Sequence, residues 1–255
     1  SITQNKPLYA INHVHAHPFA AFITEAAMKD YDLPSFAPKF PMLSLIVSGG
    51  HTQLVLFGSA FDYQVLGRTH DDAIGEAFDK VAKIIGLPYP GGPSISKAAL
   101  SGSSDKYHFP TPKPAGVYDF SYSGLKTAVL RTAQKLIGED HRFPSGSIKN
   151  RLSEAQVNDI AASFQKTAIN IVVDKTMKAY YEFSPRSVVI AGGVAANHEL
   201  RGQLESQLDI QPFYPDIKLC TDNAAMIATL GVLKINANLS KADPNKLEIS
   251  PSLSM

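Results

Sequence analysis

One cysteine, Cys220, stands in 255 residues, which excludes an internal disulfide framework and fits a reducing compartment. Strong charge of either sign is lacking as well. Lys and Arg number 24 against 23 Asp and Glu, a formal net charge of +1. Any nucleic-acid contact must therefore come from a local patch or a partner, not from the chain as a whole. No apolar run is long enough to cross a bilayer, so no membrane partner is expected. The opening Ser1-Ile2-Thr3-Gln4-Asn5-Lys6 has neither the apolar centre of a signal peptide nor the Arg-rich pattern of a transit peptide. A cytoplasmic location is the expectation. Three familiar fingerprints are also missing: Gly-x-Gly-x-x-Gly, the P-loop with its Lys-Ser/Thr, and His-Glu-x-x-His. What is present, 44% hydrophobic residues, suffices for the core of one large domain or two ordinary ones.

The apolar runs Met42 to Val47 and Gln53 to Phe57 read as two buried strands joined by Ser48-Gly49-Gly50-His51-Thr52. Adjacent glycines permit positive φ, and such a turn suits either a plain hairpin or a nest of N–H groups aimed at an anion. Leu8 to Ile11 can enter a sheet, and Phe19 to about Lys29 reads as a helix. Asp71 to Val81 predicts a second helix with Ile74, Phe78, Val81 and Ile85 along one face, stopped by Gly86. Pro90-Gly91-Gly92-Pro93 follows as an exposed turn. Residues 101–122 form a long loop or small lid, and Ser121 or Ser123 is placed to cap a helix from Leu125 to about Ile137. Glu139 to Asn150 is polar and expected to be exposed. Ser153 and Gln156 suggest a capping box opening a long amphipathic helix. A buried strand at Ser187 to Ile190, a helix from Asn197 into Leu208 and a last helix from Ala224 to about Ile235 complete an alternating pattern that points to an α/β fold.

His13 and His17 are four positions apart, so a helix would put both on one face. Two imidazoles with a carboxylate suit zinc or a facial iron site. Pro18 requires the helix to start near His13, and His15 would point elsewhere. A polar strand end is the plainer reading of three alternating histidines. Asp222 is the best distant carboxylate, though a predicted helix start makes it equally a cap. Gly192-Gly193 lies between a buried strand and a helix, where α/β sheets bind ligands. Asn197 there can cap the helix or offer its amide to a base or ribose. Asp79, beside the core face of its helix, can accept from ribose hydroxyls or stand as a solvated charge next to Lys80 and Lys83.

Read in order, His13-Val14-His15-Ala16-His17, Ser48-Gly49-Gly50-His51-Thr52, Gly75-Glu76-Ala77-Phe78-Asp79-Lys80 and Tyr89-Pro90-Gly91-Gly92-Pro93 form a series. It continues as Asp119-Phe120-Ser121-Tyr122-Ser123-Gly124-Leu125-Lys126-Thr127, Ala191-Gly192-Gly193-Val194-Ala195-Ala196-Asn197 and Cys220-Thr221-Asp222-Asn223. The series resembles the tRNA threonylcarbamoyladenosine transferase family, once called O-sialoglycoprotein endopeptidases, nearer its bacterial and organellar branch. The resemblance implies an α/β chain of the actin-like ATPase fold: two ribonuclease-H-like lobes around a nucleotide cleft, one largely complete here and the N-terminal one truncated. Residues 1–41 would be a remnant of that N-terminal lobe carrying the histidine pair, 42–240 the C-terminal lobe with an inserted region at about 70–150, and 241–255 a tail.

The resemblance also implies the chemistry. His13, His17 and Asp222 would hold one divalent metal, Fe2+ or Zn2+, with Mg2+ accompanying bound nucleotide. Ile46, Val47, Ser48, Gly49 and Gly50 would line the phosphate and carbonyl side of the ligand, and Asp79, Gly92, Ser96 and Asn197 its nucleoside side. Turn amides, with Ser48 or His51 nearby, would stabilise an oxyanion and the leaving phosphate. The implied reaction moves threonylcarbamoyl from threonylcarbamoyl-AMP to the exocyclic amine of the adenosine after the anticodon, in tRNAs reading codons that begin with A. Implied partners are tRNA, threonylcarbamoyl-AMP or ATP/ADP, a paralogous actin-like subunit and a small P-loop ATPase. Three departures stand out: no Gly-Ile-Glu-Thr-Ser-Cys-Asp loop precedes the histidines, His15 replaces a usual Glu, and Ser96 sits where many relatives are acidic. Two other readings fit the same fold, a sugar-kinase-like phosphotransferase or ATPase and a nucleotide-binding scaffold without turnover. A kinase would hold magnesium through carboxylates and phosphates, so the histidine pair separates it from the transferase. Lys113, Lys126 and Arg131 are available for phosphate contacts.

Overall fold

The computed structural model describes residues 6–24, 31, 33–248, 250 and 255. Its centre is strand β1, Met42–Val47, buried at every position. Such a strand needs apolar side chains at odd and even positions alike, because both faces are covered. Met-Leu-Ser-Leu-Ile-Val meets that need except at Ser44, whose buried hydroxyl has no hydrogen-bond partner. β2, Thr52–Phe57, returns antiparallel to β1 with Val47 opposite Thr52, as the hairpin reading expected. β3, Tyr63–Arg68, pairs antiparallel to β2, and β4, Ser187–Ala191, lies parallel on the other side of β1. The order is β3-β2-β1-β4, and a parallel bridge from Val189 to Phe213 begins a further edge. This mixed α/β sheet agrees with the ribonuclease-H-like lobe that the resemblance implies.

Sequence reading missed β3, and the reason is physical. It is a half-exposed edge strand with no apolar run, and it contains Gly67. A Cβ there would lie 2.1 Å from the Tyr118 carbonyl oxygen, so only glycine lets that segment cross.

Helices cover both faces. On one, Leu43, Leu45, Val47 and Leu54 pack against α2 (Ile74–Ile85), α4 (Ser123–Leu136) and α5 (Glu154–Phe183). On the other, Met42, Ile46, Val55, Phe57 and Val189 meet α1 (His13–Ala16), the 3-10 turn His17–Phe22 that continues it, and α7 (Ala224–Asn236). Of the expected helix from Phe19 to about Lys29, residues 19–22 belong to that short turn, and residues 25–29 lie outside the described residues. Leu8 makes a single bridge to Ala242 instead of a strand.

Two local signals hold in detail. Gly86 ends α2 at φ 85°, and Ser153 with Gln156 forms the full capping box of α5. Others are corrected. Pro90 is not part of a free turn but the N-cap of α3, Gly91–Ala99. Its low apolar content and two leading glycines hide it from a periodicity search. Ser121 and Ser123 cap nothing, because both hydroxyls donate to Asp71, which lies before α2 and not within it. The stretch 101–122 is irregular as expected, yet it is tied down. Ser103 N–H donates to Asp159, Tyr107 N–H to Ser163 Oγ, and Phe120 and Tyr122 are buried. Within the polar segment 139–150, Ile148 is fully buried.

Candidate metal centre and ligand cleft

Asn12 caps α1 by accepting from His15 N–H at 3.1 Å. Helical backbone continues through His17, and Pro18 falls in the first positions of the next turn, where its missing N–H costs nothing. His13 and His17 therefore share a face, rings 4.9 Å apart and nearly perpendicular. His15 turns the other way. Its ring is buried among Phe19, Phe57, Phe61 and Tyr63, with Nε2 2.8 Å from the Ala60 carbonyl oxygen, so it is a core histidine.

Asp222 arrives from the opposite end of the chain. The cap of α7 is its neighbour Asn223, which accepts from Met226 N–H at 2.9 Å, so Asp222 is released from capping. Its Oδ1 lies 3.1 Å from His13 Nε2 and 3.3 Å from His17 Nε2. Ligand atoms bound about 2.0–2.1 Å from one metal sit roughly 3.0–3.4 Å apart at tetrahedral or octahedral angles. The donor set and its spacing fit a metal, with all three ligand atoms within 4.8 Å of one another.

Burial first, then the neighbouring His13, pushes the His17 pKa down to about 4 against an ordinary 6.5, while Asp222 opposes the shift. His17 is thus neutral at pH 7 and presents a lone pair. A folded-state value below the unfolded one means the unfolded chain binds the extra proton first. Stability is then complete above pH 6.5 and lost as pH falls towards 4, by roughly 3 kcal/mol. Urea titrations of metal-free protein at pH 7 and 4.5 should show this loss, and His17→Gln should flatten it. Equal slopes in the two proteins would contradict the assignment.

His51 is half-buried, its pKa lowered by burial and then by His13. With His13 and Asn12 it lines a cavity of about 700 Å3. The turn that carries it differs from the anion-nest reading. Ser48 Oγ accepts from Gly50 N–H at 3.3 Å and His51 N–H at 3.0 Å, so these two amides are turned inward. Neither Gly49 nor Gly50 has positive φ, and both face open space. The demanding glycines lie outside the turn. A Cβ on Gly75 would lie 2.6 Å from the Ser48 carbonyl oxygen, and one on Gly192 2.4 Å from that of Val47. These two positions let α2 and the end of β4 close on the turn; sequence reading places Gly192 at a strand-to-helix ligand position and meets Gly75 only within a motif.

Among the residues expected on a nucleoside side, Asp79 Oδ1 accepts from Gly91 N–H at 2.7 Å and so holds the start of α3. Gly92 is unobstructed. Asn197 caps α6, His198–Gln207, through Leu200 N–H. Its amide nitrogen donates to Ser96 Oγ at 3.0 Å and Gln165 Oε1 at 3.1 Å, and Ser96 donates to Gln165 at 2.8 Å. Gln165, a polar residue on a long helix, carried no sequence signal of this role. Ile46 and Val47, expected to line the ligand, have side chains buried in β1. Of the three basic residues expected to be free for phosphate, Arg131 is held by Gln134 and the His141 carbonyl, and Lys126 lies 3.8 Å from Asp72.

The turn after β1, Gly192 after β4 and Asp222 before α7 thus meet at one end of the sheet, with His13 and His17 beside them. The family described as "tRNA N6-adenosine threonylcarbamoyltransferase" (TsaD) matches residues 1–229. The chain belongs to this family. A curated relative of that name from Caldicellulosiruptor bescii is 42% identical over 242 residues, 94% of this chain and 65% of the relative. Another from Mycoplasma capricolum is 43% identical, covering 92% of this chain and 68% of the relative. A third, from Chlamydia abortus, is 46% identical over 89% of this chain and 61% of its own length. The chain thus spans about two thirds of the length of the family members it matches. Among the described residues no helix is long and apolar enough to cross a membrane.

Proposed function

We propose that this chain serves tRNA N6-threonylcarbamoyladenosine formation, with threonylcarbamoyl-AMP as donor and the exocyclic amine of the adenosine after the anticodon as acceptor. The observation that carries the reading is the meeting of His13, His17 and Asp222 with the Ser48–His51 turn at one end of the sheet. Two imidazoles and one carboxylate favour Fe2+ or Zn2+ over Mg2+, which supports the transferase over a kinase of the same fold. A bound metal would supply Lewis-acid polarisation of the threonylcarbamoyl end.

The reaction is acyl transfer. The amine nitrogen bonds to the carbamoyl carbon, the bond from that carbon to the phosphate oxygen breaks, AMP leaves, and the amine gives up one proton. An exocyclic amine is a weak nucleophile, so positioning has to supply much of the rate. Ser48 orders the turn by accepting from two of its amides, and His51, neutral by burial, stands at the rim facing the His13 cavity. On the nucleoside side, Asp79 holds the start of α3, which carries Gly92 and Ser96, and Gln165 ties Ser96 to Asn197.

The test is a modification assay with synthetic threonylcarbamoyl-AMP and unmodified tRNA, read by mass spectrometry of nucleoside digests. It is run with this chain alone, with the paralogous subunit and small ATPase, and with the remaining third of a relative's sequence added. Modified adenosine is expected in at least the completed mixture and not with His13→Ala. No product from any mixture would overturn the proposal.

A further inference from the structure

We infer that Tyr89, flanked by Lys83 and Lys149, is a stacking platform for an unstacked nucleotide of a single-stranded RNA segment. The inference rests on the tRNA reading above and assigns that substrate a surface. Tyr89 is 84% exposed, far more than a ring of that size needs in order to solvate one hydroxyl. Its backbone is nevertheless held closely. α2 ends at Gly86, Leu87 N–H returns to the Ala82 carbonyl, and Gly91 N–H is held by Asp79 Oδ1 at 2.7 Å. A Cβ on Gly91 would sit 2.5 Å from Asp79 Cα, so α2 and α3 clasp the segment that carries Tyr89 at close range. An exposed aromatic on a restrained backbone loses little entropy when a base stacks on it.

The second wall comes from another part of the chain. Lys149 lies over the end of α2, its Cβ 2.7 Å from the position a Cβ of Gly86 would take. Together with Lys83, Lys80 and Tyr89 it lines a cavity of about 390 Å3. The cavity's ionisable lining carries a net +1, with Lys80, Lys83 and Lys149 against Glu76 and Asp79. Glu76 and Asp79 also line the cavity, but Glu76 pairs with Lys80 at 2.9 Å, and Lys80 reaches Asp72 at 2.6 Å as well. Lys83 and Lys149, both exposed, have no ion pair among the described residues. Two exposed lysines without an ion pair among the described residues, beside an open ring, form the pattern by which single strands are held: a base on the ring, phosphates on the ammonium groups. The cavity adjoins Asp79, one of the residues proposed for the nucleoside side.

Binding of a fluorescent anticodon stem-loop RNA to this chain, followed by anisotropy, tests the platform. Tyr89→Ala should weaken binding about tenfold or more, while Tyr89→Phe keeps the ring and should bind like the parent. Lys83→Ala and Lys149→Ala should each lower the slope of log affinity against log salt by about 0.7. Urea midpoints of all variants should match the parent, since these side chains are exposed. Parental RNA affinity in Tyr89→Ala would overturn the platform, as would parental salt slopes in both Lys83→Ala and Lys149→Ala. If Tyr89→Ala binds RNA normally while modified adenosine still forms, the transferase reading stands without the platform. If RNA binding falls as expected while no mixture modifies tRNA, the platform stands and the transferase reading falls.

Discussion

Asp222→Ala is expected to reduce metal affinity by more than about 100-fold while leaving the fold intact. The size follows from what the carboxylate touches. Oδ1 is the atom common to both short contacts, 3.1 Å to His13 and 3.3 Å to His17, and the side chain is 74% exposed. Removing it deletes one of three ligands and the only negative charge among them. Little else depends on it, because Asn223 caps α7. Asn223→Ala makes the converse control, costing about 1 kcal/mol of stability through the lost cap with all three ligands still present. Elemental analysis and calorimetric titration with Zn2+ and Fe2+ check both variants. Full occupancy in Asp222→Ala would sink the metal assignment.

Gly192→Ala should lower stability by about 3 kcal/mol, one of the largest effects available from a single methyl group in this chain. Two costs combine. The residue sits at φ 93°, which an alanine adopts only with strain of about 1–3 kcal/mol. The new Cβ would also fall 2.4 Å from the Val47 carbonyl oxygen and 3.3 Å from Ser48 Cβ. Backbone atoms of a buried central strand cannot swing aside, so relief has to come from displacing the turn at Ser48. Gly193→Ala, one residue on, meets only Thr221 Cγ2 at 3.9 Å and should be neutral to within about 0.5 kcal/mol. Urea denaturation compares the two. Equal midpoints would show that the close approach at Gly192 is not needed. Because the same turn carries His51, Gly192→Ala should also weaken whatever ligand binds beside it.

Much of the site was legible because motifs are local. His13 and His17 on one face follow from spacing and from where Pro18 can stand. The hairpin of β1 and β2 follows from two apolar runs of strand length, and the α5 cap from Ser153 with Gln156. These outcomes need only the geometry of one segment. Errors gathered where a residue's local preference was outvoted by a distant partner. Ser121 and Ser123 look like caps, but Asp71 takes both hydroxyls. Asp222, at a predicted helix start, is open to either a cap or a ligand role, and its neighbour Asn223 takes the cap.

Composition and motif order by themselves determined the family, the α/β class and the identity of the three candidate ligands. Only the tertiary structure decided which alternative each residue takes up. It turned two amides of the glycine turn inward on Ser48 and moved the steric demand to Gly75 and Gly192. It buried His15 among aromatic rings, and it joined Ser96, Gln165 and Asn197 into one hydrogen-bonded set. The reason is common to all of these. A backbone carbonyl 2.4 Å from a missing Cβ, or an amide shared by three helices, depends on chain segments far apart in sequence, and no local pattern encodes their approach.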